Sequence, residues 1–316
     1  MWWQVRRNCR PPALTSTENL AQQGMRSEQE SLLRTGSVQR NELVEPVTQQ
    51  NASHLRLCTS SRFTSQMLVR HIAENPDLAW KVRGENEYIV GGFWRHRAEI
   101  GHIVEMTLGR RADVLLSRLL DVFRDLGTKL VVVTLEDFSP DSASYRRLGL
   151  SQLDEIVEFE RTGCNNLPPA AKIDIRGFAP QDFSAVLDVD HAAFPWLWRN
   201  SDDELRWYSN HGGVEIYVAD GGSAIFGYAG LTINGKEGHL DRLAVVPDLQ
   251  GKGLGAALLR FSIEQMARLG VRHVGLSTQH NNQRSQRLYR VFGFRPRLRS
   301  HKIYGLWLGG EEEAGG

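Results

Sequence analysis

The sequence predicts an α/β protein built from two similar halves. Two observations carry that prediction. From about Ser53 onward, strand-like and helix-like runs alternate. In addition, "LGTKLVVVT" (residues 126–134) followed by "SYRRLGL" (144–150) returns as "LGVRHVGLS" (269–277) followed by "LYRVFGF" (288–294), at offsets of 143 and 144 residues. Matches in the same order at one spacing read as a duplicated domain.

In the first half, "HLRLC" (54–58) reads as a strand and "SQMLVRHIAEN" (65–75) as a helix. "EYIVGGFWRHR" (87–97) and "EIGHIVEMTL" (99–108) read as paired strands. A helix over 112–126, a strand over 129–135 and a short helix over 142–148 lead into the strand "QLDEIVEFERT" (152–162). Pro168 and Pro169 in "GCNNLPPA" break any regular element and mark the linker. In the second half, "KIDIRG" (172–177) is a strand. "APQDFSAVLDVDHAAF" (179–194) is a helix with Pro180 near its start, where a missing N–H costs little. "SDDELRWYSNH" (201–211) is a helix with Ser201 as N-cap and Glu204 completing a capping box. "VEIYVAD" (214–220) and "SAIFGYAGLTIN" (223–234) are strands, and Asn234-Gly235 turns tightly into "EGHLDRLAVV" (237–246). A helix over 253–269, a strand over 271–277 and a helix over 281–292 follow, and "HKIYGLWL" (301–308) closes the sheet.

Bulk properties remove several function classes. The chain has 316 residues and a formal charge of +1, so no global basic field points to nucleic acid. Apolar runs such as "LVVVTL" (130–135) are far too short to cross a bilayer. Cys9, Cys58 and Cys164 have no metal or redox spacing and read as thiols in a reducing, cytoplasmic setting. Residues 1–52 are rich in Ser, Thr, Gln and Asn without a sustained period, and are expected to be a disordered extension. Residues 311–316 are expected to be a disordered tail.

The chemistry concentrates in "LAVVPDLQGKGLGAALLRF" (243–261). Gly251, Gly253 and Gly255 open a strand-to-helix turn whose backbone N–H groups can meet an anion. A nucleotide-hydrolase P-loop fits poorly, because Gly253 stands where the metal-holding hydroxyl after Lys252 is needed. A dinucleotide fingerprint fits poorly too, because the third glycine comes one residue early.

"QGKGLG" after "LAVVPDL" resembles the acetyl-CoA loop of the GNAT N-acetyltransferase superfamily. "STQHNNQRSQRLYRVFGF" (277–294) resembles a second conserved block of that superfamily. The resemblance implies two tandem GNAT-like domains, each a mixed, mostly antiparallel twisted sheet flanked by helices. It implies acetyl-CoA bound by Leu243, Ala244, Val245, Gln250, Gly251, Lys252, Gly253, Leu254, Gly255, Ala256 and Asn282, with Tyr289 near the thioester as general acid. The acceptor is then a small-molecule or peptide amine, with no metal, nucleic acid or membrane involved. An amine must lose a proton before attack, and His239 and Asp241 share one strand face as candidate bases. Asn282 also reads as a plain helix cap, Tyr289 as a core aromatic, and Asp241 as a partner for Arg242 or another strand.

"VDHAAFPWLWRNSDDEL" (189–205) resembles the ribosomal-protein alanine acetyltransferases of the superfamily, in which Phe194, Trp196, Trp198 and Arg199 would line the acceptor side. Their fifth-strand glutamate is absent here, where Ser277 stands instead. Mycothiol synthases share the tandem plan. The first half offers only "MTLGRRADVLL" (106–116), with one glycine, Gly109, and with Asp113 set to compete with a phosphate. The expected organisation is therefore an extension over 1–52, a degenerate half over 53–165, a catalytic half over 166–310 and a tail over 311–316. A non-catalytic acyl-CoA-binding module shares the same loop and is the alternative.

Overall fold

The computed structural model describes residues 43–309 apart from 60, 137, 138, 140 and 223. The expectations for residues 1–42, Cys9 included, and for 311–316 lie outside the described residues.

Among the described residues, twelve strands form one sheet in the order β1-β2-β3-β4-β5-β12-β6-β11-β10-β9-β8-β7. The first half supplies β1 (Val44–Pro46), β2 (Ala79–Val82), β3 (Tyr88–Phe93), β4 (Ile100–Met106), β5 (Leu130–Glu136) and β6 (Ser151–Thr162). The second supplies β7 (Ile175–Gly177), β8 (Val214–Asp220), β9 (Ile225–Asn234), β10 (Glu237–Val245), β11 (His273–Gln279) and β12 (Arg295–Trp307). Two pairs are parallel, β4 with β5 and β10 with β11. A parallel return needs a crossover, and each pair has a helix for it, α2 (Ala112–Asp125) and α6 (Leu254–Arg268).

The duplication is visible as an exchange. Each half's run of five strands ends against the sixth strand of the other half. β12 pairs with β5 from His301↔Glu136 to Trp307↔Leu130. β6 pairs with β11 from His273↔Thr162 to Gln279↔Ile156. β6 and β12 also pair with each other, so the middle of the sheet belongs to both halves. The strand expected at 301–308 is the later part of β12 and lies between β5 and β6, inside the sheet.

The helices divide between the two faces. α2, α6, α7 (Gln283–Val291) and the short α3 (Asp141–Arg147) pack on one face, where Leu115, Leu119 and Phe123 cover Ile103 and Val131, and Leu258 and Ile263 cover Leu231, Leu240 and Leu276. α1 (Ser65–Glu74), α4 (Phe183–Ala193) and α5 (Asp202–Ser209) pack on the other. Neighbouring residues confirm the alternation, since Ile89 faces α2 while Tyr88 and Val90 face α1.

Three local expectations need correction. Residues 44–46 form β1 inside the stretch expected to be an extension, because Val44 pairs with Val82 and is buried. A three-residue strand is too short to show a period. The strand expected at 54–58 does not form, because residues 52–54 are a 3-10 turn and 55–58 have no regular structure. β2, which was not expected, is four residues long and lies between turn sequences.

Candidate active site in the second half

The two-residue turn Gly235–Lys236 sets the β9–β10 register, with Glu237 opposite Asn234 and His239 opposite Thr232. One extra residue then enters β10, because Leu240 pairs with Leu231 but Arg242 pairs with Gly230. Such a bulge re-aims side chains. Leu240 and, after the bulge, Leu243 and Val245 pack toward α6. His239, Asp241 and Arg242 all reach the opposite face, toward α4 and α5. Simple alternation would have sent Arg242 to the α6 side.

The bulge also ends the parallel pairing. β10 and β11 pair from Glu237↔His273 only as far as Leu240↔Leu276. β11 runs on to Gln279 beside β6, while residues 243–245 stay with β9. The two strands thus part, and the edge of residues 243–245 that faces β11 is left without a strand partner. A backbone edge of this kind takes up an extended ligand by main-chain hydrogen bonds.

The glycine loop sits at the end of this notch. Gly251 and Gly253 have φ of 80° and 85°, the left-handed region that glycine enters without cost. A Cβ built on either meets nothing within 4 Å, so these glycines do not relieve crowding inside the protein. The space beside them is open to a ligand. Gly253 caps the 15-residue α6, whose first N–H groups have no partner within the helix. Gln250 donates from Nε2 to the Val245 carbonyl at 2.9 Å and accepts from Arg284 at 2.5 Å. Arg284, which the sequence reading missed, thereby brings a cation to the loop from α7. Lys252 is exposed.

Asn282 is the N-cap of α7, accepting from the Ser285 N–H at 3.2 Å. Tyr289 is buried among Phe159 and Phe294 on the α6 face. Burial pushes its phenol up to about 12, partly offset by its hydrogen bond with Ser285. The structure therefore does not bring Tyr289 and His239 side by side; they lie on opposite faces of the sheet.

On the α5 face, His239 Nδ1 lies 2.8 Å from Asp241 Oδ1, and its ring packs over Gly275. Asp241 Oδ2 accepts from Tyr208 Oη and Thr232 Oγ1, each at 2.6 Å. Asp241 is thus a partner for His239 and not for Arg242. Arg242 instead reaches the fully buried Asp190 at 2.9 Å and stacks over Phe194. Asp190 also accepts from Tyr228 at 2.5 Å and from the Asn200 N–H at 2.7 Å.

The first half meets this region through the turn after β3. Arg95 and His96 both have φ of 53°, a conformation that costs roughly 1–3 kcal/mol per non-glycine residue. Burial, and then the charge of Arg242, lowers the Arg95 guanidinium to about 10. A cavity of about 370 Å³ opens between the halves, lined by His96, Arg97, His191, Trp196, Arg199 and Asn200 among others. Of the expected acceptor-side residues, Trp196 and Arg199 line it. Trp198 is tied to Asp154 at 2.7 Å, and Phe194 lies under Arg242.

The first half repeats the second half's frame without its loop. β4 pairs with β5 only from Ile100↔Leu130 to His102↔Val132, and β4 carries one extra residue between Ile103 and Glu105. At the start of α2, however, the Glu87 carboxylate accepts from the N–H groups of Arg110 and Arg111 at 3.0 and 2.9 Å. A Cβ on Gly109 would lie 2.2 Å from the Glu87 carboxyl carbon. Glu87, rather than the expected Asp113, occupies the place an anion would take. No group of three or more metal-ligating side chains occurs among the described residues. None of their helices is long and apolar enough to cross a membrane.

Residues 183–294 match the acetyltransferase (GNAT) family. The chain is 29% identical over 176 residues to a mycothiol acetyltransferase of Mycolicibacterium vanbaalenii, covering 50% of this chain and 58% of that relative. It is 27% identical over 125 residues to a putative ribosomal protein bS18-alanine N-acetyltransferase of Bacillus subtilis, covering 40% of this chain and 82% of the relative. Its fold is similar to that of a tandem GNAT protein from the clavulanic acid biosynthesis pathway, with a TM-score of 0.53 at 13% identity over 85% of this chain and 99% of that one.

Proposed function

We propose, from the match of residues 183–294 to the acetyltransferase (GNAT) family, that the second half of the chain transfers an acetyl group from acetyl-CoA to a primary amine by direct attack in a ternary complex. The observation that carries the proposal is the notch between β10 and β11, which ends at a glycine loop with open space beside Gly251 and Gly253.

In this reading the N–H groups at the start of α6 bind the pyrophosphate of acetyl-CoA. Gln250, Gly251, Lys252, Gly253, Leu254, Gly255 and Ala256 form that cradle, and Asn282 and Arg284 flank it. Leu243, Ala244 and Val245 offer their free backbone edge to the pantetheine arm. An N–H from the same segment stabilises the oxyanion as it forms. His239 Nε2 takes the proton from the attacking ammonium. The amine nitrogen bonds to the thioester carbon, the C–S bond breaks, and the thiolate takes a proton from Tyr289. The opposed faces of His239 and Tyr289 suit a thioester lying in the notch between them, with the amine on one side and the leaving sulfur on the other. The acceptor enters on the α5 face, and its identity, small metabolite or peptide terminus, is set by the seam between the halves.

The test is thiol release from acetyl-CoA with a panel of amines, using the intact chain, His239→Gln and Tyr289→Phe. Turnover lost in both variants, with acetyl-CoA still bound, is the expected result. Tight binding of acetyl-CoA without turnover on any amine would overturn the transferase reading in favour of a binding module.

A further inference from the structure

We infer that the first half is the positioning frame of the His239–Asp241 pair, acting through α5 and Tyr208. The inference rests on the reading of His239 as the base. Asp241 has three partners: His239 Nδ1 on Oδ1 at 2.8 Å, and the Tyr208 and Thr232 hydroxyls on Oδ2 at 2.6 Å each. With both oxygens engaged, the carboxylate cannot turn, and it holds the imidazole proton on Nδ1. The lone pair is then on Nε2, which has no hydrogen-bond partner among the described residues. Burial first, and then the charge of Asp241, pushes the Tyr208 phenol far up, so it remains a neutral donor. Gly230 makes room for it, since a Cβ there would lie 2.7 Å from Tyr208 Oη.

Tyr208 stands near the end of α5, an eight-residue helix. A helix this short depends on its contacts for its position. The first half grips its beginning. Ser201 Oγ caps the Glu204 N–H at 3.0 Å and donates to the Arg95 carbonyl at 2.9 Å. Glu204 does not reach back to complete a capping box; it takes His96 at 2.7 Å and Arg95 at 3.5 Å. Arg95 also donates to the Asn200 side chain. Just upstream, Trp94 Nε1 donates to the Leu197 carbonyl at 2.9 Å and Arg97 donates to the Trp196 carbonyl. Four consecutive residues of the first half therefore fix the segment that leads into α5. The left-handed backbone at Arg95 and His96 fits this role, because such conformations persist where surroundings over-determine them and cluster at functional sites. The first half in this view binds no cofactor and works as a clamp on the base.

The experiment uses the intact chain with 15N-labelled histidine as wild type, Tyr208→Phe, Gly230→Ala and the double variant Arg95→Gly with His96→Gly. The His239 tautomer is read from its imidazole nitrogen shifts. Acetyl-CoA affinity is read by calorimetry, and kcat and KM are read on any amine that turns over. The double variant removes both side chains that hold Glu204 and the bond of Arg95 to Asn200, while glycine accepts the left-handed backbone freely. Each variant is expected to lower the share of the Nδ1–H tautomer and to reduce kcat about 10- to 100-fold, with acetyl-CoA affinity unchanged. A folded double variant with wild-type tautomer and kcat would overturn the role of the first half. A folded Tyr208→Phe with wild-type tautomer would overturn the relay itself. Tautomer shifts in all three variants of a chain that turns over no amine would uphold the frame while removing the acetyl-transfer reading.

Discussion

Asp190→Asn tests the junction on which the site is built. Asp190 is fully buried on α4 and takes Arg242 at 2.9 Å, Tyr228 at 2.5 Å, and Asn200 through its backbone N–H at 2.7 Å and its side chain at 3.1 Å. Arg242 is itself only 8% exposed, and its Nε already lacks a partner. Removing the carboxylate charge strands that guanidinium, which costs about 3–5 kcal/mol when one member of a buried pair is lost. Asparagine keeps one oxygen for the Asn200 N–H but sets an amide nitrogen where Oδ2 takes Arg242, Tyr228 and the Asn200 side chain, so its cost lies toward the upper end. Alanine strands the Asn200 N–H as well, at about 1–3 kcal/mol more. Against a typical total of about 5–15 kcal/mol, the alanine variant stands at the edge of folding. Urea denaturation followed by far-UV circular dichroism and tryptophan emission gives the loss directly. Adding Arg242→Met to Asp190→Asn should cost at least about 1 kcal/mol less than the sum of the single changes, because the stranded cation is gone. A loss under about 1 kcal/mol for Asp190→Asn, or full additivity in the double variant, would refute the reasoning.

Two further predictions concern the fold. His102 Nε2 is buried with no partner among the described residues, and burial, followed by Arg62 and then His71 nearby, lowers its imidazole to about 4. The folded value lies below the ordinary value of about 6.5, so at intermediate pH the unfolded chain holds a proton that the folded chain lacks. Stability should therefore fall as pH drops from about 6.5 to 4, by at most about 3 kcal/mol from this group. His102→Phe should flatten that slope in urea titrations, and an unchanged slope would remove His102 as its source. The exchanged strands predict that residues 43–165 and 166–309, made separately, each lack a cooperative transition near that of the intact chain. Co-expression should restore it, and a stable isolated half would contradict the dependence.

Much of the fold was legible in the chain because the elements are long and their signals local. The alternation of strands and helices, the repeat and the glycine loop all rest on neighbouring residues. The exchange of β6 and β12 was not legible, because in a duplicated chain each strand's own pattern suits either sister half. β1 and β2 have three and four residues, too few to show a period. At the site, Asn234-Gly235 marked a tight turn but not its register, because the two turn residues are Gly235 and Lys236 and Asn234 pairs with Glu237. Period two correctly grouped His239 with Asp241. It missed the bulge that turns Arg242 toward Asp190, because an inserted residue leaves no mark in composition. Tyr208, Glu87 and Arg95 lie 33, 23 and 105 residues from the partners that give them meaning, Asp241, Arg110 and Asn200. Only the folded chain brings these together.

The central claim is one acetyl-CoA site, in the second half. Calorimetric titration of acetyl-CoA into the intact chain, Gly253→Glu and Glu87→Gln tests it most directly. The account predicts one molecule bound per chain, binding abolished by a carboxylate placed in the loop at Gly253, and no second site opened by Glu87→Gln. Binding that survives Gly253→Glu, or two molecules bound per intact chain, would contradict it.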